Sequence, residues 1–116
     1  MTAEASIFNA LQTLVANRVY PDVAPIGTVR PYATFQQVGG QSVNFLDSAV
    51  PNKANSRFQI NVWADTRAAA ALLAGQVEQA LRTAAALQTT VMGQPVATYE
   101  LDTLLFGSRQ DFSVWQ

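Results

Sequence analysis

The sequence predicts a single α+β domain over residues 1–116, with two helices packed on one face of a mostly antiparallel four-stranded sheet. Two segments place apolar residues at the spacing of an amphipathic helix, and a third alternates apolar and polar residues as a strand does. The length is close to the commonest size of one domain. No linker or internal repeat divides the chain, so we expect one core.

The first element is an amphipathic helix near the start of the chain. Thr2 is a suitable N-cap, and Glu4 in the first turn interacts favourably with the helix dipole. Asn17 can end the helix in a left-handed conformation. The apolar stripe that predicts the helix consists of Ile7, Phe8, Leu11, Leu14 and Val15.

Two strands are predicted before the second helix. Residues Tyr32 to Val38 favour a strand, which Gly39-Gly40 ends. Residues Arg57 to Ala64 alternate strictly, so one face of that strand is expected in the core and the other outside it. The core side carries Phe58, Ile60, Val62 and Ala64, and the opposite side carries Arg57, Gln59, Asn61 and Trp63.

The second helix is predicted to begin after Asp65 as its N-cap and to extend to about Leu87. Gly75 costs stability inside a helix, so we expect it to mark a close approach to another backbone. The predicted buried stripe is Ala70, Leu73, Val77, Ala80, Leu81 and Ala84.

The C-terminal part predicts a β-hairpin. Residues Val96 to Phe106 favour one strand and Gln110 to Trp115 another. Gly107-Ser108 between them is a turn signal.

A long polar segment, Gln41 to Ser56, separates the two central strands. A stretch of this length without structure of its own is uncommon in a compact domain and is often functional. Its apolar residues Val43, Phe45 and Leu46 would be costly if left bare in water. Two interpretations stay open: an arm that packs on a neighbouring subunit, or a loop folded back on its own domain.

The composition restricts the possible partners. Charged residues make up only 13% of the chain, which surface shared with other subunits or a surface of Thr, Gln, Asn and Ser would explain. The net charge is −1 and the seven basic residues are scattered, so no basic patch for specific nucleic-acid binding is expected. No apolar run is long enough to predict a transmembrane helix.

The residues for common catalytic chemistry are missing. The chain contains no His and no Cys, which excludes Ser–His–Asp triads, Cys–His pairs and the common zinc sites. The sole lysine, Lys53, lies in the polar segment, where nothing desolvates it for Schiff-base chemistry. We therefore predict no enzyme, no cofactor and no small-molecule substrate.

One carboxylate cluster offers an alternative. Glu100 and Asp102 alternate onto one strand face, and Asp111 lies on the facing half of the predicted hairpin. Such a cluster could bind a divalent cation or act in acid–base chemistry, making the chain a small soluble binding module. Against this, Arg109 could pair with a carboxylate, and exposed charges on a hairpin are usually only solvated.

Several segments, in the same order, resemble the small tail-completion proteins of long-tailed bacteriophages and prophages. The resemblance spans nearly the whole chain, and its most specific part is the strand that ends in Val62-Trp63-Ala64 before the helix. Asn61 stands where such sequences often carry an aspartate. The other matching segments are Arg18-Val19-Tyr20-Pro21 with Ala24-Pro25, Pro31 to Phe35, the alanine-rich helix with Val77 and Ala80-Leu81, and Asp111 to Trp115.

The resemblance implies a structural role. Such proteins form a ring, typically of six subunits, at the head-proximal end of the tail, and contact tail-tube and head-connector proteins at the head–tail junction. Assembly takes place in the bacterial cytoplasm, and DNA passes through the ring without being read by sequence. A tail terminator or a minor tail protein is the alternative within this context. The resemblance matches no fixed pattern in residues 40–56, so the subunit interface is predicted independently of it. The residues predicted to form this interface are Val43, Phe45, Leu46, Lys53, Arg57 and Trp63.

Overall fold

The computed structural model describes residues 2–116 and contains two α-helices and six β-strands. A 3₁₀ turn, Gln12–Leu14, extends the first helix. No helix within these described residues is long and apolar enough to cross a bilayer. In chain order the elements are α1 (Ala3–Leu11), β1 (Val19–Pro21), β2 (Tyr32–Gln37), β3 (Asn55–Ala64), α2 (Arg67–Thr83), β4 (Thr90–Val91), β5 (Val96–Glu100) and β6 (Leu105–Trp115).

The strands form one mixed sheet in the order β1-β2-β3-β6, with β4 and β5 both paired to β6. The β1–β2 pair is parallel and all other pairs are antiparallel. The prediction of a four-stranded sheet is therefore wrong in strand number, although the α+β class and the two helices are confirmed. The additional strands, β1 and β4, are three and two residues long, too short to show an alternating pattern.

Both helices cover one face of this sheet and share a single core with it. The alternation predicted for β3 is confirmed, with Phe58, Ile60, Val62 and Ala64 buried. Thr2 caps α1 as predicted, since its side chain accepts a hydrogen bond of 3.1 Å from the backbone N–H of Ala5. Buried residues of the helices that meet β3 in the core are Ile7, Leu11, Leu73, Val77 and Leu81.

The boundaries and the glycine of α2 differ from the prediction. Thr66, not Asp65, is the N-cap, and its Oγ1 accepts a hydrogen bond of 3.1 Å from Ala69. Asp65 instead forms an ion pair of 2.8 Å with Arg30. The helix ends at Thr83. Gly75 approaches no other backbone, because a Cβ added there would meet nothing within 4 Å.

The C-terminal hairpin turns earlier than predicted. β5 ends at Glu100, residues 101–104 form the turn, and Leu104 adopts a positive φ of 56°. The predicted turn at Gly107 is wrong, since this glycine lies inside β6. Its lack of a side chain serves a close contact across the sheet, described below.

Candidate docking surfaces

The face of the sheet that the helices do not cover carries polar residues and the ring of Trp63. Arg57 on β3 donates to Asp111 on β6, with Nη2 and Nε at 2.6 and 3.0 Å from the same carboxylate oxygen. Gln59 lies directly across from Asp111 in the β3–β6 register. The predicted interface residue Arg57 is thus paired within its own chain.

The ring of Trp63 lies against Gly107 on this open face. The two residues are register partners in β3 and β6. A Cβ added at Gly107 would stand 2.7 Å from the Trp63 ring and would also collide with Oγ1 of Thr98. The glycine is therefore required for the ring to lie across the strand.

Arg67, the first residue of α2, links the β5–β6 hairpin to the helix through hydrogen bonds. Its guanidinium donates to the backbone carbonyls of Gly107 and Thr98, at 2.6 and 2.5 Å. The same group lies 5.3 Å from the ring centroid of Phe106, within cation–π range. This role of Arg67 could not be predicted from the sequence, because its partners are backbone carbonyls, which carry no side-chain signal.

A groove of about 470 Å³ lies on the open face at the Trp63 end of β3. One wall is the loop of residues 22–30, which connects β1 to β2, and the other is the turn of the β5–β6 hairpin. Residues that line the groove include Ile26, Tyr32, Asn61, Trp63, Glu100 and Leu105.

Burial and neighbouring charges both shift the pKa of Tyr32 in this groove. Partial burial raises the pKa of its phenol above 10.0, and the nearby Glu100 carboxylate raises it further, while Arg30 acts in the opposite direction. The phenol is therefore a neutral hydrogen-bonding group at physiological pH.

Exposed apolar side chains lie on the loop wall of the groove, and others stand close by on the hairpin turn. Ile26 is fully exposed, and Val23 and Val29 on the same loop are also in solvent. Leu101 and Leu104 are exposed on the opposite hairpin turn. An accumulation of exposed apolar groups around a concave site is typical of a protein-interaction surface.

The second apolar surface is the arm, which we define as residues 41–54. It contains neither helix nor strand. Leu46 is fully exposed, Val50 is 90% exposed and Phe45 is half exposed. The structure therefore does not fold this segment's apolar residues into the core of its own domain.

The base of the arm is held firmly to the sheet. Asn55 accepts a 2.8 Å hydrogen bond from the backbone N–H of Gln41 and donates one of 2.7 Å to Ser113 on β6. Gly40 has a φ of 153° and lies so close to the backbone of Asn55 that a side chain would not fit. The arm thus leaves the sheet from a fixed point.

The predicted interface residues fall near the two ends of β3. Val43, Phe45, Leu46 and Lys53 lie in the arm, and Arg57 follows shortly after its base. Trp63 lies six residues further along β3, about 20 Å away, in the groove. Whether these residues contact another subunit stays a prediction.

The predicted carboxylate cluster is not assembled. Asp111 pairs with Arg57, Glu100 ends β5 and Asp102 lies in the exposed turn. Arg109 forms no ion pair with these carboxylates, and its partner across the hairpin is Val96. In the described part of the chain, no group of three or more Asp, Glu, His or Cys residues is placed to hold a metal ion.

Most of the basic residues are engaged within the chain. Three arginines form ion pairs, and Arg67 and Arg18 donate to backbone carbonyls. Lys53 and Arg109 make no ion pair among the described residues 2–116. Within the described residues, the basic side chains therefore form no cluster of unpaired positive charge that could bind phosphates.

Comparison with known proteins identifies the family. A chain of the structure described as "Virion of native gene transfer agent (GTA) particle" is similar in fold, with a TM-score of 0.62 and 22% identity over 97% of this chain and 92% of that chain. No curated protein sequence matches. The family model described as "Tail completion protein gp17" matches residues 3–116, so the chain belongs to the tail completion protein gp17 family.

Proposed function

We propose that this protein forms a ring at the head-proximal end of a phage or prophage tail, where it completes the tail and joins it to the head. Membership of the tail completion family supports a structural role in the tail. The similar fold of a chain from a gene transfer agent virion agrees with a place in a phage-like particle.

The proposal of a ring rests on one observation, which is that the chain has two separate apolar surfaces. A cyclic ring uses two different patches of each subunit, because every copy contacts its neighbours head to tail. The arm leaves the sheet beside Asn55, whereas the groove lies around Trp63 near the other end of β3. The molecule is elongated, measuring 53 × 25 × 23 Å, as suits contacts at opposite ends.

The charges suit a ring through which DNA passes. A near-neutral subunit whose arginines are mostly engaged internally has little free charge with which to hold the DNA backbone. The protein then acts by assembly and docking, not by catalysis, and takes neither a cofactor nor a small-molecule substrate.

Deleting the gene from its phage or prophage and imaging the particles by electron microscopy tests the proposal. We expect filled heads and separate tails, with joining restored when the gene is supplied in trans. Normal, infectious, head-attached tails would contradict the joining role. Tails of abnormal length, still attached to heads, would instead favour a terminator.

A further inference from the structure

The arm and the groove are complementary in chemistry. The arm offers Phe45, Leu46 and Val50 to solvent, and the groove is lined by the exposed side chains of Val23 and Ile26 together with Trp63. A cavity of about 150 Å³ can hold a benzene molecule. A groove of about 470 Å³ is therefore large enough for two or three side chains of that size.

Charge is complementary as well. Lys53 is the only basic residue of the arm and makes no ion pair within residues 2–116. Asp22 and Glu100 line the groove and are likewise without an ion-pair partner in that range. Docking of the arm would bring its free cation to these two carboxylates.

The arm does not fill the groove of its own chain, because Leu46 is fully exposed. The backbone N–H of Gln41 is bonded to Asn55, and Leu46 follows Gln41 by five residues, a reach of at most about 18 Å. Trp63 lies eight residues from Asn55 along β3, or about 26 Å. The apolar groups of the arm are therefore available to another molecule.

We propose that the arm of one copy docks in the groove of the next copy around the ring. This inference rests on the ring proposed above and assigns its interface. Leu46 and Phe45 enter the groove beside Ile26 and Trp63, and Lys53 approaches Asp22 and Glu100. The two surfaces differ and lie at opposite ends of β3. Each copy therefore contacts one neighbour through its arm and the other through its groove, and such contacts can close into a ring.

Disulfide cross-linking tests this pairing directly, because the chain has no cysteine of its own. Leu46→Cys and Ile26→Cys both alter fully exposed residues, so neither should disturb folding. When the two single variants are mixed and oxidised, we expect dimers only. The double variant should give a ladder of species that ends at the closed ring. The matched control pairs Leu46→Cys with Leu72→Cys, an exposed position on the helix layer, and should remain uncross-linked.

The cross-linking should be performed on concentrated protein and on whole particles carrying the variants. Rings that form without a 46–26 cross-link would overturn the proposed docking of the arm in the groove but not the ring itself. The same conclusion would follow if a different tail protein occupied the groove. Dimers of Leu46→Cys alone would also overturn it, because they indicate arm-to-arm contact. Absence of rings from both samples would contradict the proposed function itself.

A charge reversal adds a test that needs no cross-link. We expect Lys53→Glu to raise the concentration for half-assembly about two- to fivefold, as the loss of a partly exposed ion pair would. Glu100→Lys in the same chain should restore assembly, since the pair is then reversed. Failure of that rescue, with both variants folded, would contradict contact between these two groups.

Discussion

At the scale of single residues, the two glycines of regular structure have opposite roles. Gly107 in β6 makes room for the ring of Trp63, whereas Gly75 in α2 has open space around it. The sequence does not distinguish the two glycines, because the residues that leave or deny space for a side chain at each position are distant in the chain. The expected turn at Gly107 and the expected close approach at Gly75 were wrong for the same reason.

This difference predicts opposite effects of alanine. We expect Gly107→Ala to lower the free energy of unfolding by about 1–3 kcal/mol, because the new Cβ overpacks the site. Gly75→Ala should raise it by about 0.5–1 kcal/mol, because alanine favours the helix. Urea denaturation measures both. Equal effects of the two substitutions would contradict the assigned contacts.

Glu78 predicts a pH dependence of stability. The hydrogen bond from the side chain of Gln110 lowers the pKa of this carboxyl below 4.5, with Arg82 adding to the effect and burial opposing it. The folded state thus favours the ionised form. Its stabilising contribution is present above pH 4.5 and is lost as the pH falls through the lowered pKa.

The free energy of unfolding of the protein and of Glu78→Gln, measured across this range, checks the sign. We expect the difference between them to be largest near neutral pH and to shrink below about pH 4.5. NMR titration of the Glu78 carboxyl should give a midpoint under 4.5. A midpoint above that value would mean that burial outweighs the hydrogen bonds.

At the scale of elements, the β5–β6 hairpin depends on α2 for its position. Arg67 joins the start of the helix to carbonyls of both strands. The hairpin turn forms one wall of the groove, so this arginine also helps to shape the groove.

We expect Arg67→Met to reduce stability by about 2–3 kcal/mol, because it removes two charge-assisted hydrogen bonds. Hydrogen exchange should become faster in β5 in particular. Arg82→Met on the same helix is the control, since it breaks only an exposed i,i+4 pair with little expected effect. Unchanged exchange in β5 would show that Arg67 does not hold the hairpin.

The elements with strong periodicity could be predicted, and those fixed by tertiary contacts could not. The stripe of α1 and the alternation of β3 follow from burial on one side of each element, so both were correct. β1 has only three residues and includes Pro21, so no local pattern marks it. The start of α2 was wrong by one residue because Asp65 and Thr66 are both good N-caps, and the ion pair with Arg30 occupies Asp65.

At the scale of the whole molecule, the chain is more extended than a compact globule of its length. The radius of gyration is 15.0 Å, against roughly 13 Å for a compact chain of this length. Of the two candidate docking surfaces, the arm could be predicted from the sequence, because its apolar residues lie among polar neighbours. The groove could not be predicted, because it forms where the loop of residues 22–30 and the hairpin turn meet over Trp63.

The central claim is that this subunit joins to copies of itself through two different surfaces. Native mass spectrometry of the protein over a range of concentrations, and of rings released from particles, tests it most directly. We expect monomer at low concentration and one closed ring of fixed copy number at high concentration and in particles. A symmetric dimer as the end state, or monomer in every sample including the particles, would contradict the account.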